Sequence, residues 1–564
     1  MSASLYSAQL YPGRALGWMA LGATMHEVIT RLKSEPQRFP KMDLYFDPKA
    51  PLTREVRLGL PANGLRLTFD GPEQRLRLIE VTDFSRLHIF FKPANDKERD
   101  LVRVANLADA SPGPTFRHIY QRFLGPTYDG EFQSDRRDAT RGTYTLSWPG
   151  VGFVFDLAPR DYAPDKDVVS LLPSAAVPTA MAVFSADSWA QARQTLYTEV
   201  LPSLKTFAPL FKGGSKDWVP DEVSLIRIHG GGRLQVFRRW TSTCFWIHLG
   251  HTKPQQLVAE LGPPDAIYRK SDQRMSIHKL RSDSNAAAAG AGRPSRDEVL
   301  RARLDDLSLT DTDQSSAHTA SDDGYDSHED HDEADEADEA VEDDEYDQDD
   351  DDDARADVTH EHFYNYFYLG FDILVSMRAL SSPSRRPPSQ REDEADMMPP
   401  PEAPAMPNEQ VAVKLVLHGN VPGSYPFNRH RRCRWEIAYL GHGDDDSGGG
   451  GDGAPGGVVI NSETPFAQVE ASMRDEWKSI YGSEDEARQK QRGMVLNRGW
   501  GDSPGSSCEL LGGWEGEAAS SVAGRKAGLA VGSEAEDATT TLYGFPGIVF
   551  EVLKNGCVSA MTVF

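Results

Sequence analysis

At 564 residues the chain is too long for one compact core, so several domains or repeats are expected. Hydrophobic residues make up 39%, below the usual globular share, which implies that part of the chain does not pack. The formal net charge of −26 is local: positions 321–353 hold 21 Asp or Glu and no Lys or Arg, and the remainder is near −5, which argues against a nucleic-acid-binding protein.

In chain order, the first predicted element is a helix. Thr24 followed by Glu27 makes a capping-box start, and Met25, Val28, Ile29 and Leu32 fall at i, i+3, i+4 and i+7. After MDLYFD comes a hairpin: Leu65, Leu67 and Phe69 alternate with polar residues, DGPEQ turns the chain, and Leu76, Leu78 and Ile79–Val81 return it. A second helix is predicted from Phe116, Ile119, Tyr120 and Phe123, followed by the strands TYTLSWPG, VGFVFDL and TAMAVFS. A third begins after Thr252 and stops at Leu261–Gly262 before two prolines, with strands RMSIHK, YNYFYLGFDILV and VAVKLVLHGN. The fourth, ETPFAQVEASMRDEW, precedes TTLYGFPGIVFEVLKNGCVSAMTVF, where Asn555–Gly556 reads as a two-residue type I′ turn.

This recurrence predicts an α+β fold of repeated units, each of one or two helices packed on a small antiparallel β-meander, with long disordered insertions. The expected divisions are a first unit at 14–110, a second at 111–215 and a third at 216–440 carrying insertions 281–358 and 381–408. A Gly-rich linker follows at 441–457, and a fourth unit spans 458–564 with an insertion at 501–537. The insertions are acidic, Pro-rich or Gly/Ser-rich, compositions that cannot bury enough apolar surface to order.

The sequence points to no enzyme. It lacks GxSxG, GxxxxGK[ST], HExxH and kinase signatures, and Gly230–Gly232 and Gly448–Gly451 read as a turn and a linker rather than phosphate cradles. Cys244, Cys433, Cys508 and Cys557 are far apart, which argues for reduced thiols over disulfides or structural zinc. His318, His328, His331, His360 and His362 lie in or beside the acidic tract, where fixed ligand geometry is not expected, so neither a metal nor a cofactor is predicted. Two arginine clusters stand out: Arg238 and Arg239 beside Trp240, and Arg431, Arg432 and Arg434 before Trp435. Either they grip phosphates or an acidic partner, or they are exposed strand edges whose charges deter aggregation. The first residues lack a signal-peptide pattern and no run approaches the ~20 apolar residues of a membrane span, so a cytoplasmic protein with peripheral membrane contact at most is expected.

The segments LGATMHEVITRLK, YRKSDQRMSIH, YNYFYLGFDIL and HGNVPGSYPFN resemble the phagophore assembly factor 1 family, with the resemblance running from Leu16 to Phe564 and the low-complexity insertions pointing to a fungal member. The resemblance implies a non-enzymatic scaffold or adaptor that pairs with a β-propeller protein of the BCAS type. It would associate with the phagophore through a phosphoinositide membrane surface, without nucleic acid. The alternative is a trafficking adaptor at Golgi or endosomal membranes.

Overall fold

The computed structural model describes residues 5–93, 97–102, 114–127, 130–135, 138–201, 221–269, 361–377, 387–388, 409–440, 459–497 and 539–564. All belong to one compact unit made of 1–269 and 361–564. The expected insertions 281–358, 441–457 and 501–537, all but two residues of 381–408, and the strand RMSIHK lie outside the described residues.

Residues 5–201 form β1 (Tyr6–Tyr11), β2 (Ala15–Leu16), β3 (Met19–Ala20), β4 (Asp43–Tyr45), β5 (Val56–Leu60), β6 (Leu65–Phe69), β7 (Leu76–Val81), β8 (Leu87–Phe91), β9 (Arg99–Asp100), β10 (Glu131–Ser134), β11 (Gly142–Trp148), β12 (Val151–Asp156) and β13 (Ala180–Val183). They build a five-stranded sheet ordered 3-2-1-8-9 and an eight-stranded sheet ordered 10-11-12-13-7-6-5-4. Residues 221–564 form β14 (Val223–Gly230), β15 (Arg233–Arg238), β16 (Cys244–His248), β17 (Ala266–Arg269), β18 (His362–Tyr366), β19 (Phe371–Met377), β20 (Gln410–His418), β21 (Trp435–Ile437), β22 (Ile460–Asn461), β23 (Met494–Asn497), β24 (Thr539–Phe545), β25 (Ile548–Leu553) and β26 (Val558–Val563). Their sheets are ordered 16-15-14-21-22 and 23-24-25-26-20-19-18-17. Adding thirteen to each strand number of the first lobe gives the second: one topology occurs twice. In both small sheets the central pair, β1–β8 and β14–β21, is parallel, and all other strand pairs in the four sheets are antiparallel.

Each lobe has its own core. Leu10, Met25, Leu67, Phe123 and Phe153 belong to the first, and Ile226, Phe371, Trp435, Met473 and Phe550 to the second. Helices are short; those at the predicted positions are α1 (Met25–Ser34), α2 (Phe116–His118), α3 (Pro254–Leu261) and α4 (Phe466–Glu476), and further short helices lie at Val168–Leu171, Trp189–Thr195 and Glu484–Lys490. The capping box of α1 forms as predicted, with Thr24 Oγ1 accepting from the Glu27 amide at 3.1 Å and Glu27 accepting from the Thr24 amide at 2.9 Å.

The α+β class therefore holds with the balance strongly toward sheet. The four-stranded meanders are not separate layers, because β13 pairs with β7 and β26 with β20, fusing them two by two. Three local expectations are corrected. The second helix is one α turn followed by a π turn, Ile119–Phe123. YNYFYLGFDILV is the hairpin β18–β19 rather than one strand, since Gly370 at φ 89° reverses the chain. At the last hairpin only Gly556, at φ 79°, is left-handed. Its amide donates to Leu553 O at 2.9 Å and the Leu553 amide donates to Cys557 O at 2.9 Å. That is a type I turn closed by a left-handed glycine, not type I′.

Candidate functional site

The turn 70–75 between β6 and β7 buries three polar side chains, Asp70, Gln74 and Arg75. Asp70 Oδ1 accepts from the Glu73 amide at 2.8 Å, and Gln74 adopts φ 53°. The Met25 amide donates to Gln74 O at 2.8 Å, which ties the turn to the start of α1. Arg75 is thereby driven inward, 1% exposed, where it donates to Gly22 O at 3.0 Å and pairs with Glu222 just ahead of β14.

The second lobe answers with the segment 419–434. Arg432 Nε donates to Pro72 O at 2.7 Å, Nη1 to Gly419 O at 2.8 Å, and Nη2 pairs with Glu463 at 2.9 Å. Arg431 donates to Val223 O at 3.3 Å and lies 3.3 Å from Glu222, so Arg75 and Arg431 share one carboxylate across the lobes. Arg434 joins Glu463 at 3.1 Å and Glu73 at 3.7 Å, and Arg239 meets Glu73 at 2.8 Å. Gln74 and Asn420 complete the seam: Nε2 of Gln74 donates to Asn420 O, and Nδ2 of Asn420 to Gln74 Oε1, both at 2.8 Å.

The electrostatics follow from this packing. Burial alone would raise the Glu222 carboxyl, but Arg431 and Arg75 outweigh it and hold it down at about 2. Burial lowers Arg431 to about 10 and pushes the Cys433 thiol, enclosed between the arginines, up to about 12. A thiol so placed is inert.

Of the five arginines singled out from sequence, Arg239, Arg431, Arg432 and Arg434 are thus brought together at the seam between lobes, paired with glutamates. Arg238 stays within its own lobe, donating to Glu260 O at 2.9 Å and lying over the Phe245 ring. Neither cluster is a strand edge: Arg238 ends β15, inside its sheet, and Arg431 and Arg432 are buried in a loop.

Beside the seam lies a second cluster that sequence reading missed. Asp372 of β19 accepts from or faces His418 Nε2 at 2.8 Å and His430 Nε2 at 3.1 Å, and the two imidazoles stack with centroids 3.7 Å apart and planes 12° apart. Burial would raise the Asp372 carboxyl, but the two histidines hold it well below the usual range, while burial lowers His430. The donor atoms of all three lie within 4.8 Å of one another, so this is where a metal would be held. No sequence spacing reveals it, because the residues come from two strands and a loop. Of the tract-adjacent histidines, His362 lies in β18, and His318, His328, His331 and His360 lie outside the described residues. The free cysteines Cys244, Cys433 and Cys557 are consistent with reduced thiols, and Cys508 lies outside the described residues.

Fold and seam define an internally duplicated, sheet-built protein whose two lobes are joined by buried ion pairs. The chain belongs to the PHAF1 family: the model described as phagosome assembly factor 1 matches residues 16–291 and 407–564, parts of both lobes. It is similar to PHAF1 proteins of Arabidopsis thaliana (29% identity over 27% of this chain and 33% of the relative) and Caenorhabditis elegans (27% identity over 24% and 28%). It is also similar to one of Drosophila melanogaster, 20% identical over 99% of this chain and 93% of that protein. The chain thus spans about a third or less of the plant and nematode relatives, and nearly all of the fly one. No solved structure matches it. Among the described residues no helix is long and apolar enough to cross a membrane.

Proposed function

We propose that the chain is a non-enzymatic scaffold or adaptor in autophagy, which pairs with a β-propeller protein and meets phosphoinositide-bearing membrane at the phagophore. The observation that carries this reading is the match, over parts of both lobes, to a family described as a phagosome assembly factor rather than as a class of enzyme. The seam supports it. Buried ion pairs fixing two lobes against each other favour a rigid body, which presents a surface that loses less conformational entropy on binding.

Within this reading the arginines divide. Arg431 and Arg432 set the lobe geometry, and Arg434, with a third of its side chain exposed, is the one placed to reach a phosphate or an acidic partner. The test is affinity purification of the tagged chain from starved cells with identification of co-purifying chains. Near-stoichiometric recovery of a β-propeller protein is expected, and recovery of the chain alone would overturn the pairing. Arg434→Gln should weaken binding to phosphoinositide vesicles, with a modest fall in Tm because the pairs to Glu463 and Glu73 are lost as well. Unchanged vesicle binding would remove Arg434 from the contact.

A further inference from the structure

From the Asp372, His418 and His430 cluster we infer a structural binding site for a divalent transition ion of the zinc class, which locks the loop 419–434 onto the second lobe's large sheet. The donor set is the first argument. Two imidazole nitrogens and a carboxylate are a common zinc ligand set, and all three donors are already gathered within 4.8 Å.

A candidate fourth donor lies on the neighbouring strand. Asn365 of β18 is directly opposite Asp372 in the β18–β19 pair, which puts the two side chains on one face of the sheet. The Asn365 Oδ1 atom is buried and has no hydrogen-bond partner. A buried acceptor left unmatched is destabilising, and ligation would satisfy it. His418 reaches the same face from β20, two positions along from Val416, the cross-strand partner of Asp372.

The site is held from outside as well. The Cys433 amide donates to His418 O at 2.9 Å, and the Arg431 amide donates to Phe367 O at 2.8 Å, so the loop bearing His430 is fastened on both sides of the cluster. Binding needs only that each imidazole carry its proton on Nδ1 and that the stacked rings turn slightly, so that both Nε2 lone pairs converge in front of the carboxylate. The ion then bridges β19, β20 and the loop that carries the seam arginines.

The experiment uses the full-length chain stripped with a chelator, titrated with Zn²⁺ by calorimetry and with Co²⁺ by visible absorption. One strong site per chain is expected, with the intense d–d bands of a four- or five-coordinate cobalt ion and a raised Tm on zinc addition. His418→Gln and His430→Gln should each weaken uptake by more than about tenfold, whereas His328→Gln with His331→Gln, in the acidic tract, should leave it unchanged. Uptake that is absent, or lost with the tract histidines and kept in His430→Gln, overturns the site. Should the ligand variants fail to fold, zinc-edge X-ray absorption on the chain carrying His328→Gln and His331→Gln decides. Scattering from two imidazoles supports the proposal, and an oxygen-only shell sinks it.

Discussion

Single residues at the seam bear more than their own contacts. Arg432 satisfies Pro72 O, Gly419 O and Glu463 at once, and is 4% exposed. Arg432→Ala leaves the Pro72 and Gly419 carbonyls without this donor and Glu463 with Arg434 as its remaining cation, so a loss of about 2–3 kcal/mol in folding free energy is expected, read as a lower urea midpoint. A variant as stable as the parent would show that the pair contributes nothing. His26 on α1 gives the pH response. It is buried, its Nδ1 has no partner, it packs edge-on to Tyr368 at 5.4 Å, and burial pushes its imidazole down to about 4. An unfolded histidine titrates near 6.5, so between those values the unfolded chain binds the extra proton. The stability that His26 contributes is therefore present above about pH 6.5 and lost as pH falls toward 4. Denaturation midpoints of the wild type and His26→Gln should converge toward the acidic end of that window. Parallel pH profiles would show that the ring is solvated in the fold.

At the scale of elements, the legible features were those whose signal is local. The Thr24 capping box, the Leu65–Leu67–Phe69 alternation and the stop of α3 at Gly262 depend on neighbours in sequence, and they formed where predicted. Turn chemistry was less legible. Gly370 in YNYFYLGFDILV reads as an apolar strand residue, yet it makes the β18–β19 reversal. The fusion of meanders through β13–β7 and β26–β20 left no local trace, because both pairings join strands far apart in sequence. The same distance hid the Asp372 cluster and the glutamates that face the arginines. Gly370 also shows why a turn can matter beyond its own hairpin. A Cβ there would sit 2.3 Å from Arg431 O and 3.0 Å from the Cys433 amide, on a backbone at φ 89°. Gly370→Ala should destabilise by about 2 kcal/mol or more, from left-handed strain plus displacement of the loop. Thermal unfolding at an unchanged Tm would mean that the loop gives way freely.

At the scale of the molecule, two duplicated lobes with separate cores raise the question of whether they unfold as one. The seam supplies the coupling. Glu222 neutralises Arg75 from one lobe and Arg431 from the other, and Asn555 Nδ2 donates to Pro48 O at 3.2 Å at a further point of contact. Glu222→Gln removes the shared charge and leaves two buried guanidinium groups facing each other across the lobes. Replacing the triad with Arg75→Met, Glu222→Leu and Arg431→Met removes the charges together, a change that is often neutral or stabilising. Calorimetry of the wild type should show one cooperative transition over both lobes. Glu222→Gln should split it into two, with the less stable lobe melting first, and the apolar triad should merge them again at least in part. A single transition in Glu222→Gln at the wild-type temperature would mean that apolar packing, such as Phe427 against the first lobe's core, couples the lobes without the ion pairs. Two transitions already in the wild type would mean that the seam orients the lobes but does not make them one folding unit.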